Sequence, residues 1–279
     1  MFTNKSRVIV GLTTYHTENL MVSLSGLARV GQGAVLIIHN DNPSVQITKQ
    51  QIRQMGFRGK LHIINSQYNV GLLNSRLAIL DYIRQQNISA PWFIFTDDDD
   101  VILNLNVPRV QDTHFAVIQN AISVCRRLVD VLRAIQCPER ITTDNENNFL
   151  TRPHLGMAGT LVRTSVVLRL GDVLRYAHNA ISDITESLTY RAPIDSMMWS
   201  GLNIVARHDC PDVSPIYMDT TNYIITDIDN VSQKYGMSLF PTKDAQKQIV
   251  ATITKYDNAI RAALADMAAA PVGLESDNQ

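Results

Sequence analysis

Short apolar runs alternate with stretches of helical periodicity through the first hundred residues, and this alternation leaves few folds open. Arg7-Val8-Ile9-Val10-Gly11-Leu12 reads as a strand, and Leu20, Leu24, Leu27 and Val30 then recur at helical spacing. Ala34-Val35-Leu36-Ile37-Ile38 reads as a second strand, closed by the turn-forming His39-Asn40-Asp41-Asn42-Pro43-Ser44. Residues 46–55 read as a helix stopped near Gly56 and Gly59. Leu61-His62-Ile63-Ile64 is a third strand, Leu73, Leu77, Leu80 and Ile83 mark the next helix, and Pro91-Trp92-Phe93-Ile94-Phe95-Thr96 is a fourth strand. Such an order predicts an α/β fold, a mostly parallel sheet flanked by helices. Ligands of such sheets bind outside the carboxyl ends of the strands. Polar residues collect at those ends here: Thr13 to His16, His39 to Asp41, Asn65 to Asn69, and Asp97 to Asp100.

The four consecutive aspartates, Asp97 to Asp100, end a buried strand. Packed carboxylates repel, and each raises its neighbour's pKa. A divalent cation removes that penalty, and Mg²⁺ sites combine one or two carboxylates with phosphate oxygens and water. A strand-end metal site holding a phosphorylated ligand is therefore one reading, and a solvated acidic turn is the other.

Beyond residue 105 the pattern changes. Phe115, Ile118, Ile122, Cys125, Leu128, Val129 and Leu132 predict a long amphipathic helix ending near Cys137-Pro138. Residues 139–154 are polar and read as a loop that can close over a site through Arg140, Arg152 and His154. Met157 to Arg163 reads as a strand, 166–174 as a helix, 175–193 as a polar segment, and Ile194-Asp195-Ser196-Met197-Met198-Trp199 as the start of another helix. Asn203-Ile204-Val205-Ala206-Arg207 looks strand-like. Ile249, Ile253, Tyr256, Ile260, Leu264 and Met267 predict a C-terminal helix over 241–270, followed by a disordered tail at 271–279.

Composition excludes several classes. The 25 basic and 26 acidic residues carry no nucleic-acid footprint. Cys125, Cys137 and Cys210 are widely spaced, which argues against a zinc site or a disulfide framework and fits a reducing cytoplasm. The N-terminus leads into a strand rather than a signal-peptide core, and no apolar segment approaches the ~18 residues of a membrane span. The first βα turn lacks Gly-x-Gly-x-x-Gly, so a nicotinamide site is not expected.

Four segments in order resemble the nucleotide-binding half of a GT-A glycosyltransferase, most similar to glycosyltransferase family 2. They are Val8 to Tyr15, Val35 to Ser44, the Asn-x-Gly segment Asn69 to Arg76, and the Asp-x-Asp strand Phe93 to Asp100. Gly156 to Arg163 is similar to the family's small-residue strand near the acceptor pocket, and Ile194 to Trp199 to its acidic motif, with Ile-Asp where the family commonly has Glu-Asp. The resemblance implies a GT-A, Rossmann-like domain over 1–240, with a nucleotide-sugar half (1–105) and an acceptor half (106–240). It implies an inverting transfer from a nucleoside diphosphate sugar, a UDP-sugar, to a hydroxyl of a glycan or glycolipid acceptor, with Mn²⁺ or Mg²⁺ as cofactor. It is compatible with peripheral association on the inner face of a membrane.

Carried onto this chain, the resemblance assigns donor binding to Thr13, Thr14, Tyr15, Asp41, Asn69, Gly71, Arg76, Asp97 and Asp98, and the metal to Asp97, Asp99 and His208. Asp98 with Asp100 is the alternative register. Asp41 has two readings, an acceptor for a base N–H or an Asx turn before Pro43. Arg76 would reach the diphosphate or an aspartate of the run. Asp195 is the candidate general base, or otherwise a helix cap, with Gly159 and Trp199 lining the acceptor pocket. A nucleotidyltransferase and a non-catalytic nucleotide- or carbohydrate-binding module are the competing functions. The former usually has a Gly-rich loop with Arg and Lys after the first strand, which Thr13 to Glu18 does not supply.

Overall fold

The computed structural model describes residues 7–105, 116–125, 136, 150–153, 156–186, 193–213, 217–226 and 243–269. Strands β1 (Val8–Thr14), β2 (Val35–Asn40), β3 (Lys60–Asn65) and β4 (Trp92–Asp97) are parallel and lie in the order β3-β2-β1-β4. All seven residues of β1 and all six of β2 are buried. Both faces of the sheet are covered, which is why these strands read as unbroken apolar runs rather than alternating ones.

Helix α1 (Leu20–Val30) covers one face, packing Leu20, Leu24 and Leu27 over Val10, Leu12, Leu36 and Ile94. Helix α3 (Gly71–Gln85) covers the other, with Leu77, Ile79, Leu80 and Ile83 against Ile9, Val35, Ile37, Phe93 and Phe95. Between them α2 (Lys49–Gln54) starts at a capping box in which the Gln51 N–H donates to Thr48 Oγ1 and the Thr48 N–H donates to Gln51 Oε1. The fold is the expected α/β sheet flanked by helices.

The sheet continues past β4 with changed strand directions. Strand β8 (Leu161–Arg163) pairs antiparallel with β4, and β6 (Val117–Cys125), β9 (Tyr217–Thr226) and β5 (Val101–Ile102) follow in that order. Strand β7 (Leu150–Pro153) pairs antiparallel with β6. Helices α4 (Thr164–Tyr176), α5 (His178–Glu186), α6 (Pro193–Asp209) and α7 (Lys243–Ala269) join α3 over one face through Leu170, Met198, Leu202, Tyr256 and Ile260. Among the described residues no helix is long and apolar enough to cross a membrane.

The structure overturns several expected elements. Val117 to Cys125 is a strand, not the first part of a helix. Ile118, Ile122 and Cys125 match helical spacing, but Val117, Ile118, Ile122 and Val124 are β-branched, and β8 and β9 flank the segment and hydrogen-bond to it. Asn203 to Arg207 lies within α6, because Leu202, Val205 and Ala206 continue the buried stripe begun by Met197 and Met198. A short apolar run of this kind does not reveal its own period. Residues 150–153 form a strand where a loop was expected, and 178–186 a helix within the polar segment. Arg140, His154 and the tail at 271–279 lie outside the described residues.

Candidate active site at the carboxyl ends of β1 and β4

Parallel pairing places Thr13 beside Asp97 and Thr14 beside Asn40, so the polar ends of three strands meet. Thr13, Thr14, Tyr15, His16, Asp41, Leu72, Ser75, Asp97 and Asp98 line a cavity of about 240 Å³ there. Most of the donor residues expected from the sequence are thus brought together in one place.

The aspartates divide by environment. Asp98 and Asp100 are buried, whereas Asp97 and Asp99 are half-buried. Asp98 Oδ2 accepts from the Thr14 hydroxyl at 2.6 Å and from the N–H groups of Tyr15 and His16 at 3.3 and 3.2 Å, pinning the turn after β1. Burial pushes the Asp98 carboxyl pKa up and the Asp97 charge adds to this, while the Thr14 hydroxyl and the two N–H groups oppose it. Asp100 Oδ2 accepts from the Tyr223 hydroxyl at 2.8 Å, and Tyr223 Oη lies 3.2 Å from Thr96 Oγ1. Burial, reinforced by Asp100 and Asp97, pushes the Tyr223 pKa well above its usual value, so this hydroxyl stays a donor.

Asp97 Oδ1 accepts from the Thr13 hydroxyl at 3.2 Å and from Arg76 at 3.2 Å, and Asp97 Oδ2 has no hydrogen-bond partner among the described residues. Arg76 is fully enclosed. Its other terminal nitrogen donates to Asp195 Oδ1 at 2.6 Å, and its guanidinium stands 5.3 Å from the centre of the Phe95 ring. Burial works against the Arg76 charge, but Asp195 and then Asp97 outweigh it and push its pKa up. Asp195 Oδ1 also accepts the Ala158 N–H at 3.0 Å. The expected contact of Arg76 with an aspartate of the run is formed; the contact with Asp195 had no signal in the sequence.

Asp41 is not the Asx turn before Pro43. Asn42 takes that role, its Oδ1 accepting the Ser44 N–H at 3.0 Å. The Asp41 carboxylate instead reaches the start of α3, where it accepts the N–H groups of Val70 and Gly71 at 2.7 and 2.9 Å. A carboxylate there meets unpaired N–H groups and the positive end of the helix. Asn69 Oδ1 shares the Gly71 N–H at 2.9 Å, and Gly71 sits at φ +79°, the left-handed region that suits glycine. Asn69 and Gly71 therefore build the turn and do not line the cavity.

Gly159, at φ +78°, lies in a turn rather than a strand and donates its N–H to Phe95 O at 2.9 Å. A Cβ there would meet the Tyr223 ring at 2.8 Å. Trp199 is half-buried one turn beyond Asp195 on α6. His208 is not brought to the site. It lies thirteen residues after Asp195 on the same helix, roughly 20 Å along the axis, and its Nδ1 is 2.8 Å from Asp209 Oδ1. A metal ligand set including His208 is therefore excluded by the continuity of α6, the segment expected to be a strand. Among the described residues no three His, Cys, Asp or Glu side chains form a metal-binding group.

Sequence reasoning also missed Ser75, Leu72 and Tyr223. Ser75 and Leu72 lie inside the Asn-x-Gly segment, three positions apart and so on one face of α3. Tyr223 had no local signal, since β9 meets Asp100 only through the sheet.

The chain matches no protein-family model and no curated protein. Solved structures with a similar course of the backbone include TarS 1–349 of S. aureus, at 16% identity over 91% of this chain and 81% of that chain, with a TM-score of 0.48. Another is the mannosyltransferase PcManGT from Pyrobaculum calidifontis in complex with GDP-Man and Mn²⁺, at 11% identity over 97% and 77%, with a TM-score of 0.44. GalNAc-T7 with UDP, GalNAc and Mn²⁺ is a third, at 12% identity over 98% of this chain and 53% of that chain, with a TM-score of 0.46. The chain thus spans about half of the last. At such identities and TM-scores these likenesses say nothing about the chemistry of this chain.

Proposed function

We propose that this protein is a metal-dependent GT-A glycosyltransferase that moves a sugar from a nucleoside diphosphate, a UDP-sugar, to a hydroxyl of a glycan or glycolipid. The observation that carries the reading is the Asp97–Arg76–Asp195 chain. It joins the strand-end groups around the cavity to one carboxylate on α6, the two functions that a glycosyl transfer needs side by side.

Asp97 and Asp99 are the metal carboxylates in this reading, because Asp98 and Asp100 are buried on structural partners. The open Asp97 Oδ2 beside half-buried Asp99 fits a hard cation that takes its remaining ligands from phosphate and water. When bound, such a cation neutralises the charge that develops on the departing diphosphate. Thr13 to His16 and Asp41 frame the nucleoside, and Tyr15, 44% exposed, offers an aromatic edge.

Asp195 acts as the general base. It accepts the proton of the acceptor hydroxyl while the hydroxyl oxygen bonds to the anomeric carbon and the bond from that carbon to the diphosphate breaks, which inverts the centre. Arg76 and the Ala158 N–H hold Asp195 in place from the side away from solvent. Trp199 and the turn at Gly159 border the acceptor side.

The test is thermal stability against UDP, GDP, CDP and ADP with Mn²⁺, Mg²⁺ or chelator. A ligand at a hundred times its dissociation constant adds about 2.7 kcal/mol. A metal-dependent shift with one nucleotide, lost on Asp97→Ala plus Asp99→Ala, is expected. No shift with any of them sinks the donor site.

A further inference from the structure

Ser75, on the second turn of α3, is 1% exposed, and its Oγ has no hydrogen-bond partner among the described residues. A helical serine ordinarily returns its hydroxyl to a carbonyl three or four residues back. Ser23 and Ser25 do so on α1, to Leu20 O at 3.4 Å and to Val22 O at 2.5 Å. Ser75 forgoes that bond, and it forms part of the cavity wall. Most polar groups around it are engaged, with Asp97 Oδ2 left open for the cation. Thr13 donates to Asp97, Thr14 to Asp98, Asp98 Oδ2 takes three donors, and each Asp41 oxygen takes a backbone N–H. A buried hydroxyl left unpaired costs stability, and the cavity that Ser75 lines is the nearest place from which a partner can come.

The chemistry of the wall indicates which part of a ligand this is. Asp41 and Asp98, to which no cation is assigned, give the cavity wall carboxylates that accept N–H and O–H groups. Leu72, one helical turn before Ser75, adds an apolar surface. A neutral nucleoside, with base and ribose donors and a flat apolar face, matches that surface.

We infer that Ser75 is a specificity-determining residue whose hydroxyl hydrogen-bonds the nucleoside of the bound nucleotide. This rests on the donor-site reading above.

The experiment compares the intact wild-type chain with Ser75→Ala. Titration calorimetry uses UDP, GDP, CDP and ADP with Mn²⁺, and pyrophosphate with Mn²⁺ as the probe lacking a nucleoside. Melting of the ligand-free proteins is measured alongside. Ser75→Ala is expected to weaken binding of the preferred nucleotide roughly three- to tenfold while leaving pyrophosphate affinity unchanged. The free variant should melt at the wild-type temperature or above, because alanine favours the helix and removes an unpaired hydroxyl. A purely structural serine would show a lower melting temperature instead, which overturns the inference. Unchanged nucleotide affinity, or an equal loss for pyrophosphate, overturns it while leaving the donor site standing. A wild-type protein that binds none of the four nucleotides removes both.

Discussion

Arg76 and Asp195 lie 119 positions apart in the chain and meet at 2.6 Å, with the guanidinium fully enclosed. The same guanidinium holds Asp97 at 3.2 Å, so one cation fastens α3 to both β4 and α6. An Arg76→Met variant leaves two partly buried carboxylates facing each other. Fully buried pairs cost about 3–5 kcal/mol when one partner is removed. Asp97 and Asp195 are 33% and 24% exposed, so solvent screening reduces the expected loss to about 2–3 kcal/mol. Urea denaturation measures it, and Arg76→Lys should recover part of the loss, since one ammonium cannot serve both carboxylates in fork geometry.

Asp195→Asn keeps the shape of the side chain and removes the carboxylate proposed to take the acceptor's proton. Transfer or donor-hydrolysis turnover should fall about a hundred- to ten-thousand-fold, with the nucleotide dissociation constant essentially unchanged. Parallel loss of binding would show that the residue serves the donor, not the acceptor.

Chelation should erase the nucleotide-dependent gain in melting temperature, and Asp99→Asn should do the same in the presence of Mn²⁺. Asp100→Asn should instead lower the melting temperature of the free protein, because Asp100 is buried against Tyr223. Differential scanning fluorimetry with and without nucleotide separates the two behaviours.

Tyr223→Phe deletes the donor to Asp100 Oδ2 and the contact with Thr96 Oγ1 while keeping the ring that packs on Gly159. The expected cost is about 1–3 kcal/mol of stability. Nucleotide affinity should not move, since Tyr223 does not line the cavity.

His39 is buried between Thr13 and Ile64 in the sheet register, and its Nδ1 has no partner. Burial lowers its pKa below 6.5, only partly offset by the Asp41 charge. The native state therefore favours the neutral ring, while the unfolded chain binds the extra proton first. The stability linked to His39 is fully present above pH 6.5 and is lost as pH falls from 6.5 to the lower native pKa, by about 1.4 kcal/mol for each unit between them. Against a His39→Leu variant, wild-type stability should decline over that window and run parallel to it on either side.

The first half of the fold was legible because each element carried its own signal. Val8 to Leu12, Val35 to Ile38 and Phe93 to Phe95 are apolar on both faces, and Leu20, Leu24 and Leu27 repeat at helical spacing. The second half was less legible. Ile118, Ile122 and Cys125 satisfy a helical period and a strand composition equally, and Ile204 to Ala206 satisfy both in reverse. Hydrogen-bonding partners on β8 and β9 made the first a strand, while packing beside Leu202 made the second part of a helix.

The candidate site divides in the same way. Which residue types stand at the strand ends is readable from the chain alone, since turn chemistry and strand termination are local. The sequence placed Thr13 to Tyr15, Asp41 and Asp97 to Asp100 there before any contact was known. What each carboxylate does depends on the partners that folding brings to it. Asp41 reaches the start of α3, Asp98 closes the turn after β1, Asp100 anchors Tyr223, and Asp97 shares Arg76 with Asp195. Four adjacent aspartates are alike as a sequence, and burial and the identity of the donor that each meets across the sheet are what make them differ.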